Sequence, residues 1–279
     1  MELAISELPL AVFTTLGPLS AGAFVIIALL QARGVDAKCQ GRLDRLAFIP
    51  LAIVVVGLMG AFAHLAGPLH APYALVGVAS SPLSQEILAA LVFMVLALIY
   101  CVLATAGKLS PGVRKGLSIA VAVLGAVFSL FTGFAYWMPT IVSWAVPWTV
   151  IEPLAAFLLG AGTLGLLLAA LAGCADEIRV VAGWLAVAGA VALVIALIGH
   201  IGFVSGIEGR MAFGSDLVAS VRVAQIASIA GAVAAAALSV IGSCRKRAAF
   251  WAASASIMAV VAVLFGRLVF YGLQISVGL

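Results

Sequence analysis

Long apolar runs separated by short polar connections make up almost the whole chain. Eight runs, at 8–32, 46–66, 83–106, 113–137, 150–172, 178–204, 217–242 and 248–273, each hold enough consecutive apolar residues for a helix to cross hydrocarbon, about 20. Leu, Ala, Val and Gly dominate them, with no sustained alternation of period two, so the pattern of a transmembrane barrel does not fit. The predicted fold class is an all-α integral membrane protein of eight transmembrane helices, forming a single transmembrane domain over 1–279. A faint internal echo, ELPLAVF at Glu7 to Phe13 and EPLAAF at Glu152 to Phe157, is consistent with two parallel four-helix halves, although ordinary helix-start chemistry explains it about as well.

Composition sharpens this reading. With 66% hydrophobic and 9% charged residues and a mean hydropathy of +1.32, a chain of this size has more apolar surface than a soluble core could hide. The acidic start MELAISELPL lacks the basic region and cleavage pattern of a signal peptide, so the first run is expected to remain as a span. The net charge of +4 points to membrane orientation and not to nucleic acid. Arg33, Lys38, Arg42 and Arg45 follow the first run; Lys108, Arg114 and Lys115 the third; Arg179 the fifth; and Arg245, Lys246 and Arg247 the seventh. The other connections hold only Arg210, with Arg222 just inside the seventh run, so the positive-inside rule places both termini outside a bacterial or archaeal cytoplasmic membrane. Cys39, Cys174 and Cys244 fall in the connections assigned to the cytoplasm, where disulfides are not expected, and with no CxxC spacing they give little sign of a metal site.

Ionisable residues within or beside the runs gather at the end opposite the basic loops. His64 closes the second run in AHLAGPLHAPY, Glu86 opens the third in SPLSQEI, His200 ends the sixth, Arg222 starts the seventh and Arg267 ends the eighth. Proton pumps and ion-coupled transporters usually carry such groups at the midplane, which here looks empty of charge, so a transmembrane relay is disfavoured. A polar site open to one face suits a lipid-soluble ligand with a polar head. Oxidising a quinol requires acceptors for two protons; an imidazole such as His64 can take one and a carboxylate such as Glu86 can pass it on. Arg222 could hold an acid ionised or steady a quinone oxygen. Taken singly the same residues have plainer readings: His64 as an interfacial residue, Glu86 and Glu152 as helix-start acids, Arg222 and Arg267 as side chains reaching the surface, and His70 and His200 as structural. Trp137, Trp144, Trp148 and Tyr136 fit an interfacial aromatic belt. A bis-histidine haem has only His64 and His200 to draw on, and neither lies well inside the membrane.

Several stretches together resemble the membrane-anchor subunit of the dimethyl sulfoxide reductase family: ELPLAVFTTLGPLSAGAF, AHLAGPLHAPYAL, SPLSQEI, KLSP and GRLVFYGLQISVGL. The resemblance covers essentially the whole length and agrees with the span count. It implies eight helices, outward termini, no haem or iron–sulfur cluster in this chain, and oxidation of menaquinol to menaquinone. The electrons would pass to a four-cluster iron–sulfur subunit and on to a molybdopterin catalytic subunit, in anaerobic respiration. His64, in Ala63-His64-Leu65, and Glu86, in Leu83-Ser84-Gln85-Glu86, match the family's quinol-site histidine and acid, and Arg222 matches an arginine early in the seventh span. His70 stands where an arginine is expected, and His200 has no counterpart. The alternatives to a quinol site are a passive anchor that only docks partners and, less favoured, a small-molecule transporter.

Overall fold

The structure, a computed structural model, describes residues 5–64, 73, 75–174, 176, 178–208, 214–245 and 247–276, with the side chains of Ala63 and His64 outside that description. Eight helical runs are long and apolar enough to cross a membrane, and no strand occurs among the described residues, which carry one isolated bridge between Ile141 and Ser276. The protein is an all-α integral membrane protein. Its helices are α1 (Leu8–Arg33), α2 (Ala37–Leu46), α3 (Phe48–His64), α4 (Pro82–Thr105), α5 (Pro111–Tyr136), α6 (Trp148–Gly160), α7 (Leu166–Ala172), α8 (Arg179–Ser205), α9 (Gly214–Ser220), α10 (Arg222–Cys244) and α11 (Ala248–Gly272). A π-helical turn, Ala161–Gly165, joins α6 to α7 within one span.

Local chemistry fixes where the spans begin. Ser81 and Ser110 accept bonds from the backbone N–H groups of Ser84 and Val113, and Pro82 and Pro111 occupy the first helical position, where the missing N–H costs nothing. The second span departs from expectation at its start. The basic segment before it is itself helical, capped by Asp36 accepting from the Cys39 N–H at 2.8 Å, and α2 turns into α3 at Ala47. The seventh span is likewise interrupted at Val221, between α9 and α10.

The first and fifth spans form the centre, mostly buried, while the other six are each buried over less than half of their apolar windows and leave wide faces for lipid. The central pair meets backbone to backbone. A Cβ on Gly22 would overlap the Phe157 carbonyl oxygen, and one on Gly160 would overlap that of Leu19, so only glycine permits this crossing. A large cluster of buried apolar side chains, including Phe24, Phe93, Phe128 and Leu166, fills the space around α1.

The basic end carries a feature contrary to expectation: Cys39 and Cys174 are joined by a disulfide, with Cα atoms 6.0 Å apart. Cys39 is buried in the first turn of α2, and Cys174 follows Gly173, whose φ of +90° turns the chain out of α7. The two are 135 residues apart, so no local spacing announces the bond. Cys101, buried, and Cys244, exposed, are free. In the same helix, buried Asp44 pairs with half-buried Arg114 of α5 and accepts from the Gln40 amide at 2.8 Å.

Candidate functional site

At the low-charge end, six spans turn polar side chains inward. Glu86, expected to face the rim, instead points into the bundle from the second turn of α4 and is 2% exposed, with its Oε1 lacking a hydrogen-bond partner. Thr132 of α5 lies beside its carboxyl, and the cation that faces it is Arg267. Arg222, expected to serve that role, has an exposed side chain at the start of α10 and takes no part in the buried contacts around Glu86. His64 ends α3, its side chain outside the described residues; His70 lies outside them as well. The His64–Glu86 pairing is therefore not a contact that can be described.

Arg267 organises the interior. Only 2% exposed and far from reaching the surface, its guanidinium donates from Nε to the Thr14 hydroxyl at 2.9 Å, from Nη1 to Glu152 Oε2 at 3.5 Å and from Nη2 to the Tyr271 hydroxyl at 3.3 Å. Its Cζ also sits 4.3 Å from the Phe270 ring centre, 5.0 Å from that of Tyr136 and 5.1 Å from that of Tyr271. Three rings, a carboxylate and two hydroxyls thus replace the water a guanidinium would otherwise keep. Tyr271 in turn donates to the Tyr136 hydroxyl at 2.7 Å.

Glu152 is not a helix-start acid. α6 begins at Trp148, and Glu152, one turn further in, is 4% exposed, with one oxygen toward Arg267 and Oε1 3.5 Å from His200 Nδ1. His200 is fully buried, its ring centre 5.5 Å from that of Phe270, and neither ring nitrogen has a hydrogen-bond partner. Buried polar atoms are nearly always paired, and Glu86, Glu152 and His200 carry unpartnered ones at one end of the bundle.

An aromatic lid closes this end. Trp144 and Tyr136, expected at the lipid interface, are buried instead: Trp144 stacks on Phe270 at 4.8 Å and donates to its carbonyl oxygen at 3.2 Å. The Ile275 N–H donates to the Ser143 hydroxyl at 2.9 Å, and the Ile141–Ser276 bridge ties the C-terminal segment to the same connection. Elsewhere, a crevice of about 160 Å³ is lined by Leu16, Ile53, Thr163 and Ile257, and Glu86 does not line it.

Fold and cluster together define a polytopic helical membrane protein whose polar chemistry is confined to one end. Residues 1–273 match the family described as DMSO reductase anchor subunit (DmsC), and the protein belongs to that family. It is 32% identical to the C subunit of the anaerobic dimethyl sulfoxide reductase of Escherichia coli (strain K12) over 169 residues, 60% of this protein and 59% of that one. Identity to the corresponding subunit of the Haemophilus influenzae enzyme is 28% over 144 residues, 52% of each. The YnfH subunit of an anaerobic dimethyl sulfoxide reductase of E. coli matches at 26% over 145 residues, covering 52% of this protein and 51% of that relative. The matches thus span between about half and three fifths of the length of these relatives.

Proposed function

We propose that this anchor subunit oxidises a membrane-borne quinol, menaquinol by family resemblance, for a molybdopterin oxidoreductase complex in which a four-cluster iron–sulfur subunit takes the electrons. The observation that carries the reading is Glu86: a carboxyl buried in an apolar bundle, with one oxygen unpartnered, at the end of a span. Such a group inside a membrane is costly, and function is the default reason to keep it. In this reading each quinol becomes quinone, releasing two electrons to the iron–sulfur partner and two protons to the protein. The His64 imidazole accepts the proton of one quinol hydroxyl and passes it to Glu86, and the proton of the second hydroxyl follows the same route once Glu86 has given up the first. Arg267, and not Arg222, is the cation facing the Glu86 carboxyl, which leaves Arg222 the role of steadying a quinone oxygen. The Lys and Arg count supports both termini outside, with the partner over the outer face, whereas the disulfide at the basic end supports the opposite orientation; protease protection of the two termini decides between them.

The test is His64→Ala and Glu86→Gln in the assembled complex. Quinol-supported reduction should fall by about 100-fold with assembly intact, the scale of a positioned proton acceptor. Unchanged quinol turnover in both variants would reject the site and leave a passive anchor.

A further inference from the structure

We infer that Glu152 and His200, positioned by Arg267, form a second proton-accepting site that serves quinol oxidation by receiving protons from Glu86. The inference rests on the quinol reading above and extends it to residues on three further helices. Its starting point is the direction in which Glu86 points. A carboxyl at the rim could give its proton to bulk water, but this one is turned inward and enclosed, so a proton placed on it needs a further acceptor inside the bundle.

The groups around it narrow the choice. Facing the cluster are Thr14 from α1, Glu86 from α4, Thr132 and Tyr136 from α5, Glu152 from α6, His200 from α8, and Arg267 and Tyr271 from α11. Arg267 cannot give up its proton and is spent on Thr14, Glu152 and Tyr271. Tyr271 and Tyr136 hydrogen-bond to each other, and Thr132 donates to the Phe128 carbonyl oxygen at 3.1 Å. The acceptors left over are Glu152 Oε1 and one ring nitrogen of neutral His200; Oε1 and Nδ1 face each other across 3.5 Å without a completed bond.

A carboxylate and an imidazole at that separation can share one added proton. The proton's bond to the Glu86 oxygen breaks, leaving a carboxylate there, and the proton bonds to one heteroatom of the pair and is held by the other. Arg267 fixes the opposite oxygen of Glu152, so Oε1 stays aimed at the ring. His200 is five residues from the end of α8, which gives the pair a short way out at the same end of the bundle. Glu152 and His200 are thus proton-accepting residues downstream of the quinol, and Arg267 is a positioning residue.

The experiment uses the assembled complex with a menaquinol analogue as donor, measuring kcat, the KM for quinol and the pH profile of kcat for wild type, His200→Gln, Glu152→Asp and Glu86→Gln. Glutamine fills the histidine's place without titrating, and aspartate keeps the charge opposite Arg267 while withdrawing the carboxylate from the ring. The expected result is a kcat lower by about tenfold or more in His200→Gln, with KM for quinol unchanged and the acidic limb of the pH profile lost. Glu152→Asp should shift that limb and retain assembly. Wild-type kcat and pH profile in both, alongside an inactive Glu86→Gln, would overturn this inference and leave the quinol site standing. A fully active Glu86→Gln would overturn this inference, and together with a fully active His64→Ala would overturn the quinol reading as well. Failure of both pair variants to assemble would assign the pair a purely structural role and also overturn the inference.

Discussion

Replacing Arg267 by Met tests the cluster's energetics. Methionine keeps most of the stem's volume but removes the donors to Thr14, Glu152 and Tyr271. Glu152 already lacks a partner on Oε1, so the substitution strips the other oxygen too and leaves a buried carboxylate with no donor. Breaking one side of a buried ion pair costs about 3–5 kcal/mol, and the loss of contact with three rings pushes toward the upper end. Glu152→Gln should cost less, since Arg267 keeps Thr14 and Tyr271. The double variant exchanges the charged pair for two neutral side chains, so it should be more stable than the sum of the singles by about 2 kcal/mol or more. The assay is reversible unfolding in mixed micelles, followed by tryptophan fluorescence, since Trp144 stacks on Phe270 within the cluster. Costs that add to within about 0.5 kcal/mol, or an Arg267→Met cost below about 1 kcal/mol, would show that the pair is not coupled as described.

Three further outcomes follow from packing at the centre and at the basic end. Gly160→Ala should force α1 and α6 apart and cost at least the 1–3 kcal/mol typical of overpacking, while Gly41→Ala, with open space around it in α2, should stabilise by about 0.5–1 kcal/mol; unfolding midpoints of the two compare directly. Asp44→Asn should destabilise by about 3 kcal/mol by leaving Arg114 without its buried counter-ion, read in the same assay. Peptide mapping without reductant should recover Cys39 linked to Cys174 and label Cys101 and Cys244, and Cys39→Ser should lower stability by about 2–4 kcal/mol; a fully reduced protein would refute the bond.

The spans were legible because hydrocarbon imposes a length that loops cannot imitate, and the structure moves their ends by only a few residues, apart from the helical lead-in at α2 and the break at Val221. The crowding of ionisable groups at one end was legible too. Which groups act together was not, because Glu86, Glu152, His200 and Arg267 lie on four different helices, and single-sequence reading gave Glu152, His200 and Arg267 ordinary roles. A signal was present nonetheless. Ala259, Ala262 and Gly266 mark the packed stripe of α11 and place Arg267 on its edge; Gly183, Ala186, Ala190 and Ala196 do the same for His200 in α8; and Ala90, Ala97 and Ala104 mark the stripe of α4 that begins at Glu86. Charge on a small-residue stripe is buried charge, whereas Arg222, beside the stripe of α10 that starts at Ala224, is exposed. The disulfide was hidden for a different reason: compartment and spacing arguments both ignore what the fold brings together.

The crossing of Gly22 against Phe157 and Gly160 against Leu19 bears on how the protein is made. The most enclosed helix, α1, is synthesised before its partner α6, which emerges more than 100 residues later, about 5–20 s at ordinary elongation rates of 5–20 residues per second. Until then Thr14, Thr15 and Ser20, all buried in the finished bundle, face lipid or the insertion machinery. The ribosome thus lays down the keystone before the arch that holds it, and the nascent polypeptide must be sheltered until the fifth crossing arrives.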